Sequence, residues 1–309
     1  MQQRGGANHV LETLSREVDF REAEARVAAT YAAGGRPGYR VGVLLRVMIL
    51  QHLYGLSDPQ AQTQLADRLS FQKFVQLEAH EAVPDETTIC RFRQRLIACG
   101  LHRELLELLN EQLEARGYIV KRTTLVDATL IESSRKRPDA AAARASQAPD
   151  ADARYTRKYH QSYYGDKAHV SSDGAHQLVR TARISPANAN DADWLETVTP
   201  RDTGSLYADK AYDTKANAAW LREHGIENQI ARKGALHIKL TEEDHLENRR
   251  KSRVRSGIER IFAHWKKWQY YRRARYVGLE RNQLELTLKA VAYNLKRLVR
   301  ILTLPVACP

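Results

Sequence analysis

The sequence predicts an α/β fold, a mixed sheet with helices on both faces, preceded by an all-helical N-terminal domain. Apolar residues recur at helical spacing between residues 39 and 117. After residue 118, short β-branched runs alternate with helical segments. Strands that alternate with helices are typical of a sheet with helices packed on its faces. We therefore expect a helical domain over residues 1–117 and a sheet domain over residues 118–309.

The charge balance indicates an anionic partner. The 309 residues include 49 Lys and Arg against 37 Asp and Glu, a formal net charge of +12. Nucleic acid fits better than a membrane, because the chain has no run of about 18 apolar residues and its first eight residues do not resemble a secretory signal. Cys90, Cys99 and Cys308 lack the spacing of a zinc site or a disulfide framework. We expect a cytoplasmic protein without a membrane partner.

The N-terminal domain is predicted to be a helical bundle. Its helices cover residues 41–54, 57–69 and 101–116, with a short apolar turn over 71–77 and a further helix that starts at residues 84–86. A polar segment with one helix near residues 10–33 precedes them. Ser57 and Pro59 mark a helix start. The sequence leaves two alternatives open for Arg91, Arg93 and Arg95. They either contact DNA or belong to an ordinary helical bundle that does not.

The first predicted strand carries an isolated acid. Residues 118–131 are β-branched and apolar, and Asp127 lies among them. Strands are poor in Asp, and a buried carboxylate without a partner is costly. Asp127 therefore either faces solvent at a strand end or lies in a cleft and binds something. Glu132 has the wrong parity to share its face.

The remaining sheet elements follow in order. Residues 134–158 have low sequence complexity and are predicted to be a mobile surface insertion. Strands over 163–170 and 178–184 form a hairpin, and a second isolated acid, Asp209, interrupts the apolar run 205–212. Helices are predicted over 194–198 and 214–224, and a strand over 226–231.

A basic helix follows the sheet. Residues 249–275 hold eleven Lys or Arg and one acid, Glu259. Arg255, Glu259 and Lys266 share one side of the helix. Glu259 either pairs with Arg255 and Arg260 on a solvated face, or binds a divalent cation placed between the acid and a polyanion.

Three isolated carboxylates on separate elements of one sheet suit two-metal phosphoryl transfer. Two Mg²⁺ ions about 3.5–4 Å apart stabilise the attacking and leaving oxygens of an in-line displacement, and Mg²⁺ takes oxygen ligands. Asp and Glu are common residues, so the order of these three acids along the chain does not by itself establish a two-metal site.

Several sequence motifs resemble those of the DDE transposases of bacterial insertion sequences, in the family numbered five, which have a ribonuclease-H-like catalytic domain. The resemblance runs from about residue 40 to residue 302. Its motifs are VPDETTICRFRQRL, TLVDATLIESS, YYGDKAHVSSDG, ISPANANDAD, YADKAYDT and RSGIERIFAHWKKW, followed by RARYVGLERNQLELTLKAVAYNLKRL.

The resemblance implies a catalytic, metal-binding triad of Asp127, Asp209 and Glu259, with Mg²⁺ or Mn²⁺, two ions per site, as cofactor. The family's Tyr-Arg-Glu-Lys signature maps onto this chain with Ser252 in place of the tyrosine, which puts that residue's DNA contact in doubt. Asp166 also departs from the family, which usually has an aromatic residue there.

The same resemblance implies the DNA-binding residues. Arg255 and Lys266 of the signature would hold DNA phosphates, and Arg260 and Lys267 are their basic neighbours.

The expected function is a transposase that binds terminal inverted repeats, cuts the ends of its element to release a 3′-hydroxyl, and joins that hydroxyl to target DNA. A homodimer on DNA and an association with the bacterial nucleoid are implied. No nucleoside triphosphate is expected, because the chain lacks a GxxxxGK[ST] loop. Two alternatives stay open: a Mg²⁺-dependent nuclease or resolvase of the same fold, and a non-catalytic DNA-binding protein.

Overall fold

A computed structural model describes residues 8–31, 38–136, 150–158, 160–234 and 239–303. The chain divides into two compact units. One contains the chain up to Ala115 together with the residues from Thr287 onward, and the other is Arg116–Leu286. Within the described residues, no helix is long and apolar enough to cross a membrane.

The first unit is helical. Its helices are α1 (His9–Glu17), α2 (Arg21–Ala28), α3 (Val41–Tyr54), α4 (Asp58–Asp67), α5 (Leu69–Val75), α6 (Glu86–Ala98) and α7 (Leu101–Ala115), joined by the C-terminal part of α11 (Leu279–Thr303). Helix α3 is buried along most of its length and ends at Gly55, whose φ of 70° suits glycine. Ser57 and Gln60 form a capping box at the start of α4.

Two of the three arginines considered for DNA contact have structural partners in this unit. Arg93 is 3% exposed and pairs with Asp58 at 2.5 Å. Arg95 donates to the carbonyl oxygen of Thr30 and lies 3.8 Å from the centre of the Tyr31 ring. The alternative in which Arg93 contacts DNA is therefore wrong, because its guanidinium is enclosed in the helical bundle. Arg91, by contrast, is exposed.

The second unit is built on a mixed sheet of β1 (Thr123–Glu132), β2 (Arg154–Lys158), β3 (Gln161–Asp173), β4 (Val179–Pro186), β5 (Ser205–Tyr207) and β6 (Glu227–Asn228). Strand β3 pairs antiparallel with β1, β2 and β4. Strands β1, β5 and β6 are parallel neighbours. The main path is therefore β2-β3-β1-β5-β6, and β4 lies off this path, paired with β3. The strands β4, β3 and β1 are antiparallel neighbours and are followed by the parallel strands β5 and β6, which is the ribonuclease-H-like order.

Helices cover both faces of this sheet. One face buries Val126, Leu206 and Ala208 against α8 (Leu195–Val198) and α9 (Lys215–Glu223). The opposite face receives α10 (Glu242–Trp268), where Gly257 lies so close to β1 that an added Cβ would sit 2.9 Å from Leu125 Cδ1. The predicted α/β fold with an all-helical N-terminal part is confirmed.

The structure differs from the sequence prediction at several elements. Arg154–Lys158 forms β2, although it was assigned to a mobile insertion, and residues 137–149 of that insertion lie outside the described residues. Strand β5 ends at Tyr207, because the chain turns into a short 3₁₀ helix, Lys210–Tyr212, directly after Asp209. Helix α10 begins at Glu242, because Thr241 and Asp244 form a capping box there.

Candidate active site

Asp127 and Asp209 occupy matching positions on neighbouring parallel strands. Leu125 of β1 is in register with Tyr207 of β5, and each aspartate lies two residues further along its chain. Asp209 keeps an extended backbone, with φ −77° and ψ 173°. Since side chains alternate along a strand, both carboxylates leave the sheet on the face opposite Val126. Neighbouring strands are about 4.8 Å apart, so the two acids form a pair.

Each aspartate is held by a backbone hydrogen bond close to its own position. Asp127 Oδ1 accepts from the Ala128 N–H at 2.8 Å, and Asp209 Oδ1 accepts from the Ala211 N–H at 2.7 Å. Asp127 lies in the interior of β1 with its side chain 18% exposed. It is therefore a largely buried residue in the middle of a strand, and the alternative of an acid at a solvent-facing strand end is wrong.

Helix α10 brings Arg255 and Glu259 to the same face of the sheet. Arg255 Nη1 donates to Asp127 Oδ2 at 2.5 Å, and Nη2 donates to Glu259 Oε1 at 3.2 Å. Glu259 is 58% exposed. The ion pair between Glu259 and Arg255 that the sequence left open is present, and the same guanidinium joins Glu259 to Asp127.

Tyr212 lies beside this cluster and was not singled out from the sequence. It follows Asp209 by three residues, is 1% exposed, and its hydroxyl has no hydrogen-bond partner among the residues described. Burial raises the pKa of Tyr212 well above its ordinary value, and the charges of Asp191, Asp127 and Asp209 add to this rise.

The third of those carboxylates, Asp191, lies in the segment after β4. Lys167 Nζ pairs with Asp191 Oδ1 at 2.8 Å and donates to the carbonyl oxygen of Ala189 at 2.7 Å. Asp191 belongs to the ISPANANDAD motif, and its spacing along the chain gives no sign of this ion pair with Lys167.

The donor chemistry of the cluster suits a hard divalent cation, because Asp127, Asp209 and Glu259 offer carboxylate oxygens. In the described part of the chain, however, no three His, Cys, Asp or Glu side chains converge closely enough to form a ready metal site. Arg255 instead provides the positive charge between Asp127 and Glu259. The acids fit a metal by chemistry, and Arg255 would have to release Asp127 for all three to reach it.

The other predicted DNA-binding residues lie further along α10. Arg260 and Lys267 are exposed and Lys266 is half-buried. Lys267 Nζ lies 5.1 Å from the centre of the Trp268 ring. Ser252, at the tyrosine position of the signature, is exposed.

Asp166 has a structural environment away from this cluster. It is 1% exposed on β3, and its Oδ2 accepts a hydrogen bond from Asn282 Nδ2 of α11 at 2.8 Å. Burial raises the pKa of Asp166 to about 7, and the hydrogen bond from Asn282 opposes that rise. Asp166 therefore joins the sheet to the start of the last helix.

The strand order defines a ribonuclease-H-like fold, and sequence comparison specifies the family of the chain. Residues 1–95 match a family described as a transposase domain, and residues 119–295 match the family described as the transposase DDE domain. Among solved structures, the piggyBac transposase synaptic complex with hairpin DNA is similar at 6% identity and a TM-score of 0.46, covering 96% of this chain and 77% of that chain.

The DDE family covers more than half of the sequence. The chain therefore belongs to the DDE transposases of insertion sequences and is a DNA-cleaving enzyme, as its sequence motifs predicted.

Proposed function

We propose that this transposase binds the terminal inverted repeats of its element and performs Mg²⁺-dependent cleavage and strand transfer with Asp127, Asp209 and Glu259. The observation that carries the proposal is the matched position of Asp127 and Asp209 on adjacent parallel strands, with Arg255 and Glu259 facing them from α10. A pair of this kind is suited to holding cations against one phosphodiester.

Asp127, Asp209 and Glu259 would hold the metal through carboxylate oxygens, and Mn²⁺ could replace Mg²⁺. The metal would supply polarisation of the phosphodiester and a water of lowered pKa at neutral pH. Metal removal is expected to abolish cleavage while leaving DNA binding in place.

The protein's own groups position the DNA. Arg260 and Lys267 are exposed on α10, on the helix that carries Glu259, and would bind backbone phosphates. Arg255 would exchange its contact with Asp127 for a phosphate oxygen when DNA enters, because a phosphate attracts the same guanidinium. Lys266 would extend this row of positive charge.

Two further features belong to the same proposal. A homodimer would bring the two ends of an element together, and the helical unit would read the inverted repeats. With chromosomal DNA as substrate, the protein would act in the cytoplasm on the nucleoid.

The test is cleavage and joining of a labelled DNA that carries the element's ends, with Mg²⁺ or Mn²⁺. Asp127→Ala, Asp209→Ala and Glu259→Ala should each lose cleavage and joining and keep DNA binding. Asp193→Ala is the matched control, because Asp193 is an exposed acid of the same unit. Cleavage without joining would assign the chain to the nucleases, and DNA binding without metal-dependent cleavage would indicate a non-catalytic protein. Full activity of Glu259→Ala would show that Glu259 is not catalytic and only forms an ion pair with Arg255.

A further inference from the structure

Helix α6 turns one side to the helical bundle and the other to solvent. Its buried residues are Ile89, Phe92, Arg93 and Leu96. At about 100° per residue, four exposed residues lie within about 60° of one another around the helix axis, namely Thr87, Arg91, Gln94 and Ala98. We call these four residues the outer face of α6. The outer face combines short side chains with one arginine and one glutamine, and it contains no acid.

Arg91 is available to a ligand. No ion pair or side-chain hydrogen bond joins Arg91 to any residue that the structure describes. The other two arginines of this helix differ, because Arg93 pairs with Asp58 and Arg95 donates to the carbonyl oxygen of Thr30. Two of the three arginines therefore hold α6 in the bundle, and the third presents its guanidinium to solvent.

Contacts with neighbouring helices hold α6 near both of its ends. The Glu86 N–H donates to Gln62 Oε1 of α4 at 3.2 Å. Near the other end, Arg95 Nη1 donates to the carbonyl oxygen of Thr30 at 2.9 Å. Because α6 is fixed in this way, its outer face is presented without any rearrangement of the bundle.

The two acids at the start of α6 lie outside the outer face. Asp85 is turned toward its own helix, since its Oδ1 accepts from the Thr88 N–H at 2.6 Å. Around the helix axis, Glu86 lies about 100° from Thr87. Neither carboxylate therefore belongs to the surface that carries Arg91.

The outward sides of α1, α2, α4 and α7 suit DNA less. Helix α7 exposes three acids, which are Glu107, Glu111 and Glu114. On α2, Arg26 pairs with Glu22 at 2.8 Å, and on α1, Arg16 pairs with Glu17 at 2.8 Å. Helix α4 contains no Lys or Arg. Acids repel phosphates and paired cations are already neutralised, so α6 is better suited than these four helices to approach DNA.

The outer face matches the major groove in size and chemistry. That groove is about 12 Å wide and admits an α-helix. Arginine pairs with the O6 and N7 atoms of guanine, and glutamine pairs with the N6 and N7 atoms of adenine. Arg91 and Gln94 are separated by a rise of about 4.5 Å, close to the spacing of about 3.4 Å between successive base pairs. Thr87 and Ala98 are short, so the helix backbone can approach the base edges.

We propose that α6 enters the major groove of the inverted repeat, where Arg91 binds a guanine and Gln94 binds an adenine of a neighbouring base pair. The inference rests on the proposed function, which has the helical unit read the repeats, and adds the helix, the groove and two base-specific contacts. Phosphate contacts position a protein on DNA but carry no sequence information directly. Arg91 and Gln94 therefore contribute to the choice of the DNA ends that the enzyme cuts.

The test uses the full-length protein in EDTA, so that no cleavage occurs, and two labelled duplexes of equal length. One duplex carries the element's end, and the other carries the same bases in scrambled order. Arg91→Ala and Gln94→Ala should each lower the ratio of the two affinities about tenfold, because each removes a base contact. Arg21→Ala is the matched control, since it removes an 86% exposed cation of the same unit and should leave the ratio unchanged.

Two further measurements locate the contact. Methylation of guanine N7, which lies in the major groove, should weaken binding of wild type, and Arg91→Ala should lose this sensitivity at one guanine. Maleimide alkylation of Cys90, followed by mass spectrometry, should be slowed severalfold by the end-carrying duplex, because Cys90 is exposed and borders the outer face. Cys99 is the internal control, because its Sγ donates to the carbonyl oxygen of Leu96 away from that face, and its alkylation rate should not change.

An unchanged affinity ratio in both Arg91→Ala and Gln94→Ala would overturn the inference and leave the proposed function intact, since another surface would then read the repeats. Alkylation of Cys90 that slows with protein concentration in the absence of DNA, with the ratio unchanged, would assign the outer face to contact with a second copy of the chain and would also overturn it. Equal binding of the two duplexes by wild type would instead overturn the recognition of inverted repeats in the proposed function.

Discussion

At the scale of single residues, Arg255 decides the electrostatics of the candidate site. Its guanidinium contacts both Asp127 and Glu259, and its side chain is only 18% exposed. A divalent cation that binds Asp127 must therefore compete with a positive charge already in contact with it. On the proposed function, Arg255 would oppose metal binding without DNA, and a DNA phosphate would relieve that opposition by attracting the guanidinium.

Arg255→Gln should bind Mn²⁺ severalfold more tightly than wild type in the absence of DNA, because the competing charge is gone. Cleavage should nevertheless fall, since the proposed phosphate contact is lost as well. Calorimetric titration with Mn²⁺ measures the first effect and the cleavage assay measures the second. Arg253→Gln is the control, because Arg253 is an exposed cation on the same helix. Weaker Mn²⁺ binding in Arg255→Gln would contradict this account.

Asp166 gives a second prediction at this scale. Burial raises its pKa to about 7 from an ordinary value of 3.8, so the folded protein holds this proton more tightly than the unfolded chain. The resulting stability is full below about pH 4 and is lost as pH rises through about 7. The Asp166→Asn variant carries no charge at residue 166 at any pH. The Tm of this variant minus the Tm of wild type should therefore increase as pH rises across this range.

Thermal unfolding at several pH values checks the prediction, with Asp193→Asn as the exposed control. A Tm difference between Asp166→Asn and wild type that stays constant with pH would show that Asp166 does not titrate in this range.

At the scale of elements, the close approach of α10 to β1 positions the site. Gly257 lies between Arg255 and Glu259 in the sequence, and a Cβ there would sit 2.9 Å from Leu125 Cδ1. Lys251 Nζ, on a 7% exposed residue, donates to the carbonyl oxygen of Ile230 at 3.2 Å and fixes the first part of the helix. The absence of a side chain at residue 257 lets α10 bring its acid and its arginine to Asp127.

Gly257→Leu should force α10 away from β1. We expect a loss of roughly 1–3 kcal/mol in the free energy of unfolding, the usual cost of overpacking, and a larger loss of cleavage than of DNA binding. Urea unfolding and the cleavage assay measure these quantities. Arg253→Leu adds the same side chain at an exposed position and should leave both near the wild-type values. A Gly257→Leu protein with normal stability and cleavage would show that close approach is not required.

The sequence predicted most of these elements and missed others for physical reasons. The hairpin β3–β4 was predicted because apolar alternation flanks a turn sequence. Strand β2, RYTRK, carries three cations and lacks apolar alternation, so its pairing with β3 depends on that neighbour and not on its own residues. Strand β5 is shorter than its apolar run, because the Asp209 side chain caps the turn that follows.

At the scale of the whole molecule, the net charge of +12 makes association with DNA electrostatic. The logarithm of the association constant should fall linearly with the logarithm of salt concentration. Each phosphate contact that is lost should reduce the slope by about 0.9. Anisotropy titrations of labelled duplex DNA at several salt concentrations give this slope.

Arg260→Gln and Lys267→Gln should each reduce the salt slope by about one unit. Lys121→Gln should leave it unchanged, because Lys121 Nζ already pairs with Asp202 at 2.8 Å. Equal slopes for all three variants and wild type would place the DNA phosphates away from α10.

The sequence by itself determined most of the helices and strands, the excess positive charge, the family, and the three isolated acids proposed as the site. These features depend on residue type and on spacing over a few positions. Only the tertiary structure decided that Asp127 and Asp209 occupy matching positions on neighbouring strands, that Arg255 joins Asp127 to Glu259, that Arg93 is enclosed in the helical bundle, and that Tyr212 is buried. Arg255 and Asp127 are 128 residues apart in the chain. Their contact arises from strand register and helix packing, which no local sequence pattern specifies.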